Sequence, residues 1–267
     1  MGNAASAVSA AQSGLLKIEK SGAVLTVGLN RPAKRNALND GIILAIRDCF
    51  ADLPAGIGAV VIHGIGDHFS SGLDLSELTE HDATEGLRHS QMWHRVFDRI
   101  QYSPVPVIAA LKGAVIGGGL ELACAAHIRV AEPSAYFALP EGQRGIFVGG
   151  GGSVRLPRLI GVARMTDMML TGRVYSATEG AAYGFSQYLT EAGGALPKAL
   201  ELAERVAANA PLTNFAVLQA LPMIAEANPQ TGLLMESLMA TVAQSDKEAK
   251  RRIRAFLDRK TAKVKPT

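Results

Sequence analysis

The sequence predicts an α/β fold with a helical C-terminal region, and three patterns carry that expectation. Short apolar runs of strand length recur between residues 15 and 138. Stretches with helical periodicity separate them, as at 39–50 and 84–101. From about residue 196 onward the chain is almost wholly helix-forming, with no strand-like run. Such alternation followed by a helical tail implies an α/β core carrying a helical appendage. The expected organisation is a disordered tail over residues 1–14, a core over 15–195 and a helical region over 196–267.

Taken in order, LLKIEK (15–20) and AVLTVGL (23–29) flank Ser21 and Gly22 and read as a hairpin. Arg31-Pro32 ends its second strand. Asn39 is placed to cap a helix whose Ile42, Ile43, Ala45, Ile46 and Phe50 line one face. Residues 59–63 (AVVIH) form a short apolar run after a glycine-rich turn, the pattern of a buried strand. Residues 64–78 read as a loop entering a short helix, and 84–101 as a helix with Leu87, Met92, Val96 and Ile100 on one side. A third buried strand is expected over 104–111, a turn over 113–119 and a small-residue helix over 120–126. Strands at 128–131 and 136–138 follow, and beyond a second glycine cluster (149–152) residues 154–170 are largely helical.

Composition narrows the chemistry. With 267 residues and 48% hydrophobic content the chain can bury a sizeable core without a disulfide or metal staple. The formal charge of +3 is too small to imply nucleic-acid binding. Its distribution is uneven, because residues 246–265 hold nine basic and three acidic side chains. Only Cys49 and Cys124 occur, with no CxxC, so no disulfide framework or zinc cluster is expected and a cytoplasmic location fits. The six histidines contain no HExxH, and no metal site is expected. Residues 1–14 lack the features of a secretory signal, although Gly2 and Ser6 match the permissive N-myristoylation pattern. No apolar run reaches membrane-span length, since Glu121 interrupts the longest candidate.

The glycines exclude the usual nucleotide sites. Gly113 to Gly119 does not have GxGxxG spacing, no GxxxxGK[ST] occurs, and Arg155 stands where a GxSxG elbow needs glycine. Gly117, Gly118 and Gly119 still lie between a strand and a helix, where open backbone N–H groups and the helix dipole suit an anionic oxygen. The same run would equally let a helix pack closely on a sheet. Glu121 sits in GLELACAA, a stretch otherwise too apolar to face water, and Glu141 follows in a neighbouring loop. Glutamates from adjacent loops could converge as an acid/base pair, one of them holding a proton near neutral pH.

Together with these residues, the stretches LNRPAKRNAL (29–38), FSSGLDL (69–75), KGAVIGGGLELA (112–123) and FALPE (137–141) resemble the crotonase superfamily of enoyl-CoA hydratases and isomerases. GGGGSVRLPR (149–158), LTGR (170–173), SDKE (245–248) and Ala255-Phe256 continue the likeness, which spans nearly the whole chain. The resemblance implies a spiral of repeated ββα units, a C-terminal helical region used in trimer or hexamer assembly, and an acyl-CoA thioester substrate with no other cofactor. It implies an oxyanion hole from the backbone N–H groups of Ser71 and Gly118, with Gly72, Leu73, Asp74 and Gly117 at the substrate. Glu121 would deprotonate a water adding at C3 and Glu141 would exchange the proton at C2, which favours a hydratase. A double-bond isomerase, needing only the second glutamate, another crotonase-type acyl-CoA enzyme, and a non-catalytic acyl-CoA-binding scaffold are the alternatives. Lys34, Arg35, Ala37, Arg259 and Lys260 are the implied CoA contacts. The chain departs from the common pattern at Leu73, His127, Val148 and Gly180. Leu73 could narrow the acyl pocket, and His127 reads as a packing change.

Overall fold

The computed structural model describes residues 14–77 and 82–258. The expectations for the tail, including Gly2 and Ser6, and for Arg259 and Lys260 lie outside the described residues. The chain forms two compact units, divided between Ala207 and Ala208. The first unit therefore ends one helix later than the sequence reading places the end of the core.

That unit begins with the expected hairpin, β1 (Leu16–Ser21) and β2 (Val24–Leu29), turning at Gly22 with φ of +56°. From β2 the sheet continues in parallel through β3 (Ala59–Gly64), β4 (Val107–Leu111), β6 (Ile128–Ala131) and β9 (Tyr188–Leu189). The central parallel strands are covered on both faces, which is why β4 is uniformly apolar and β3 nearly so. On one face Val60, Ile62, Ala109 and Leu111 pack with Ile42 and Ile46 of α1 (Asp40–Ala51) and Val96 and Ile100 of α2 (Ala83–Gln101). On the other, Val61, Ile108 and Val130 meet Ala199, Leu202 and Ala203 of α7 (Ala195–Ala207). This second layer draws α7 into the core unit.

Both long helices of the first layer start at caps visible in the sequence. Asn39 accepts from the Ile42 N–H, and Asp82 closes a capping box with Glu85. A second sheet, β5 (Ala114–Ile116), β7 (Tyr136–Ala138) and β8 (Tyr175–Ser176), stands beside the first. Residues 113–119, read as one turn, therefore contain a three-residue strand, fixed by pairing Val115 with Phe137. Helix α3 (Gly118–Ala125) starts two residues before the expected position and is buried along its length. The helical stretch after the second glycine cluster is split at Gly161 into α4 (Gly152–Ile160) and α5 (Val162–Thr171), and α6 (Ala177–Tyr183) follows β8.

His127 is a structural bridge. Its Nδ1 accepts from the Val107 N–H and its Nε2 meets the Gln101 carbonyl, both at 2.9 Å, tying the end of α2 to the start of β4. Burial lowers its pKa, in keeping with a neutral ring in that bridge.

The second unit is helical throughout its described residues. It comprises α8 (Pro211–Phe215), a π-helical turn (Ala216–Ala220), α9 (Leu221–Glu226), α10 (Pro229–Ser245) and α11 (Lys247–Leu257). Asp246 separates the last two and caps α11 by accepting from the Glu248 and Ala249 N–H groups. Among the described residues, no helix is long and apolar enough to cross a membrane.

Candidate active site

Two isolated parallel bridges shape the loop after β3. Ser70 pairs with Val115, and Leu73 pairs with Leu38. In the second bridge the Leu38 N–H donates to the Gly72 carbonyl at 2.7 Å, and the Asp74 N–H donates to the Leu38 carbonyl at 2.8 Å. Those bonds flank Leu73, whose own N–H turns to the opposite side. There it approaches α3, with Leu73 N 3.7 Å from where a Cβ on Gly118 would stand. Gly118 is the first residue of α3, so its N–H has no partner within the helix.

This geometry corrects one expectation. The Ser71 N–H already donates to the Arg35 carbonyl at 3.0 Å, presented by a turn in which Arg35 and Asn36 both have positive φ. Among the described residues nothing accepts from the Leu73 N–H. Leu73 and Gly118, not Ser71 and Gly118, form the convergent donor pair.

Both glutamates reach the same cleft. Glu121 lies in the first turn of α3, is only 4% exposed, and its Oε1 accepts from the N–H groups of Gly150 and Gly152, each at 2.8 Å. The second glycine cluster is thus the cradle of Glu121, a role the sequence reading did not assign. A Cβ at position 152 would stand 2.8 Å from Glu121 Cγ, so a side chain there would displace the Glu121 carboxylate. Burial raises the Glu121 pKa, while the Gly152 and Gly150 donors and the Arg155 cation oppose that rise. Glu141 follows β7 at the start of a 3₁₀ turn, and its Oε2 has no hydrogen-bond partner among the described residues. Burial first, and then the charge of Glu121, push its pKa up to about 7. A cleft of about 400 Å³ joins the two carboxylates to Gly72, Leu73, Gly117 and Gly118, and Ser71 also lines it. Leu75, Trp93, Ile116 and Phe147 contribute apolar wall.

A sequence profile described as Enoyl-CoA hydratase/isomerase matches residues 19–266. The chain belongs to the enoyl-CoA hydratase/isomerase family. The 2,3-dehydroadipyl-CoA hydratase of Escherichia coli strain K12 is 34% identical over 246 residues, covering 91% of this chain and 95% of that protein. The short-chain-enoyl-CoA hydratase of Clostridium acetobutylicum is 31% identical over 246 residues, covering 91% and 94% respectively. A crystal structure from Rhodopseudomonas palustris CGA009, provisionally described as an enoyl-CoA hydratase, is 81% identical with a TM-score of 0.91, covering 94% of this chain and 97% of the other. The enoyl-CoA hydratase from Bacillus anthracis superposes with a TM-score of 0.86 at 29% identity, covering 92% and 96%. The crotonase-like α/β fold with its helical C-terminal region is thereby established.

Within this family frame the remaining candidates separate. Asp74 does not line the cleft. Its buried carboxylate is bound by Ser76, by Lys34 at 3.1 Å and by Arg31 at 2.8 Å, which together hold its pKa well below the usual carboxylate range. Asp74 is therefore an anchor for the loop that carries Leu73, and the substrate contact expected of it is withdrawn. Lys34 spends its ammonium on Asp74 and Ser76, and Ala37 is buried. Arg35 is exposed, with its guanidinium in no ion pair among the described residues. The residues that sequence reasoning passed over are Gly150 and Gly152, whose glycine cluster was visible, and Trp93, which the apolar periodicity of α2 gave no reason to separate from the core.

Proposed function

We propose that the protein is an enoyl-CoA hydratase that adds water, syn, across the double bond of a 2-enoyl-CoA thioester. The observation that carries this reading is the pair of unlike carboxylates in one cleft beside two convergent backbone donors. Glu121 accepts from two N–H groups, whereas Glu141 Oε2 has no partner among the described residues and its pKa is pushed up to about 7, so that Glu141 holds a proton near neutral pH.

In this reading the thioester oxygen lies between the Leu73 and Gly118 N–H groups. Glu121 takes a proton from water as the water oxygen bonds to C3, and negative charge moves onto the thioester oxygen as an enolate. Glu141 then delivers its proton to C2, and a proton returns from Glu121 to Glu141 to reset the pair. Preorganised donors aimed at that developing charge are the largest contribution to rate in such chemistry, and one of them is worth about 10²–10³. The reaction needs no cofactor, since the CoA thioester is itself the substrate. Arg35 offers a cation to the CoA phosphates. A homotrimer or a dimer of trimers is the assembly that goes with this reading, and exposed Leu234, Leu238 and Val242 of α10 supply apolar surface for it.

The test follows the loss of enoyl-thioester absorbance with crotonyl-CoA. Glu141→Gln should lower the rate by about 10²–10⁴, and a fully active Glu141→Gln protein would overturn the assignment. The raised pKa of Glu141 also suits a lone proton shuttle, the requirement of an isomerase. Glu121→Ala separates the two, because isomerisation of a 3-enoyl-CoA should survive it and hydration should collapse.

A further inference from the structure

The two N–H groups that reach Glu121 belong to the peptide units joining Gly149 to Gly150 and Gly151 to Gly152. Each unit is also held at its carbonyl end. Ser90 Oγ donates to the Gly149 carbonyl at 2.7 Å. The Gly151 carbonyl accepts from the Arg155 N–H at 3.1 Å, in the first turn of α4. Between these units, the Gly150 carbonyl accepts from Arg155 Nη1 at 3.0 Å. The Arg155 guanidinium is buried, and its Nε and Nη2 bind Gln101 Oε1 and Asp98 Oδ1, both at 2.5 Å.

Ser90, Asp98 and Gln101 all lie on α2, the helix that also brings Trp93 to the cleft. Four successive glycines have more backbone freedom than any other sequence, and Gly151 is in the left-handed region at φ +92°. Convergence of two N–H groups on one oxygen therefore needs a hold from outside the turn, and α2 supplies it at two points.

We propose that Ser90 and Arg155 are positioning residues for Glu121, fixing the 149–152 turn from α2 so that two peptide N–H groups meet one carboxylate oxygen. This rests on the hydratase reading, in which Glu121 activates the water. Ser90 has a second effect. Its hydroxyl polarises the Gly149–Gly150 peptide, which strengthens the Gly150 N–H as a donor to Glu121. The charged and titratable groups around Glu121 and its turn are Arg155 on α4, Glu141 after β7, Cys124 on its own helix, Asp98 on α2, which is paired with Arg155, and His94 on α2, whose Nε2 lies 3.3 Å from Ser90 Oγ, while His89 and Arg144 line the same cleft.

Hydration of crotonyl-CoA is measured from about pH 5 to 9 for the wild type, Ser90→Ala, Ser90→Thr, Arg155→Lys and Glu121→Gln. Alanine is a good helix former, so Ser90→Ala leaves α2 intact. It should lower kcat about tenfold with little change in KM. It should also move the acid limb of kcat/KM to higher pH, because the ionised Glu121 loses donor strength. Ser90→Thr, which keeps the hydroxyl, should restore both, and Arg155→Lys should move the limb in the same direction as Ser90→Ala. Wild-type kcat with an unmoved limb in Ser90→Ala overturns the inference, as does a loss of kcat without the limb shift. Full hydration by Glu121→Gln sinks the hydratase role of Glu121 and the inference with it. Loss of hydration in Glu121→Gln beside an unaltered Ser90→Ala removes the positioning role alone.

Discussion

A Cβ placed on Gly117 would stand 2.6 Å from Glu141 Oε1, so this carboxylate lies directly over the residue that precedes α3. Gly117 also has φ of +53° with ψ of −125°, outside the left-handed helical region, a conformation that costs other residues roughly 1–3 kcal/mol. Gly117→Ala should therefore push Glu141 away from the reacting carbons while the sheets stay formed. Turnover should fall by about 10² or more with the far-ultraviolet circular dichroism spectrum unchanged. Activity within twofold of wild type would show that Glu141 does not work from this position.

The raised pKa of Glu141 has a thermodynamic counterpart. The fold favours its protonated form, so its contribution to stability is complete below the ordinary glutamate value of 4.5 and is lost as pH rises through about 7. Glu141→Gln cannot ionise and escapes that loss. At pH 8 the variant should be more stable than wild type by roughly 2 kcal/mol, and the gain should vanish toward pH 4. Urea midpoints across that range measure it, and parallel curves at every pH would contradict it. Glu121 is present in both proteins and does not alter the sign.

Asp74 behaves in the opposite way. Its depressed pKa means a contribution present above the ordinary value of 3.8 and lost as pH falls below it. Asp74→Asn should cost about 2 kcal/mol near neutrality, less than a fully buried pair would, because Lys34 is half exposed. The penalty should shrink as wild-type Asp74 itself protonates in acid. Thermal melts at pH 7 and in acid would reveal it, and an unchanged melting temperature at pH 7 would argue against the anchoring role.

Gly180 explains one departure from the common family pattern. An alanine Cβ there would overlap the Phe137 ring, which is stacked on Phe185 at 4.9 Å. Gly180→Ala should destabilise the fold by about 1–3 kcal/mol while leaving kcat/KM close to wild type, because the cleft lies elsewhere. A melting temperature equal to wild type would mean that the ring relaxes without cost.

What could be read from the chain beforehand was what is decided locally. The Ser21-Gly22 hairpin, the Asn39 cap and the largely apolar strand at 59–63 each depend on a few neighbouring residues, and each is found. Strands β8 and β9 are two residues long and exist only because a partner strand lies alongside, so no periodicity could announce them. The misplacement of β5 has the same origin, since Ala114–Ile116 is flanked by glycines and becomes a strand by pairing with β7. At the site, Glu121 stood out as a carboxylate in apolar surroundings, and Glu141 by its place in the neighbouring loop. The identity of the second backbone donor did not, because whether Ser71 or Leu73 offers its N–H is settled by the bridge to Leu38, a contact across 35 residues of chain.

That bridge separates two properties that most sites bind together. The proposed oxyanion donor at position 73 is a main-chain group, oriented by pairing with residue 38, whereas the side chain at 73 belongs to the wall of the cleft. Exchanging leucine for a smaller or more polar residue changes what shape of acyl group is admitted without rewriting the charge-stabilising machinery. Substrate preference and enolate chemistry can therefore drift independently at a single codon. An unusual residue at position 73 is accordingly informative about the substrate and silent about the reaction.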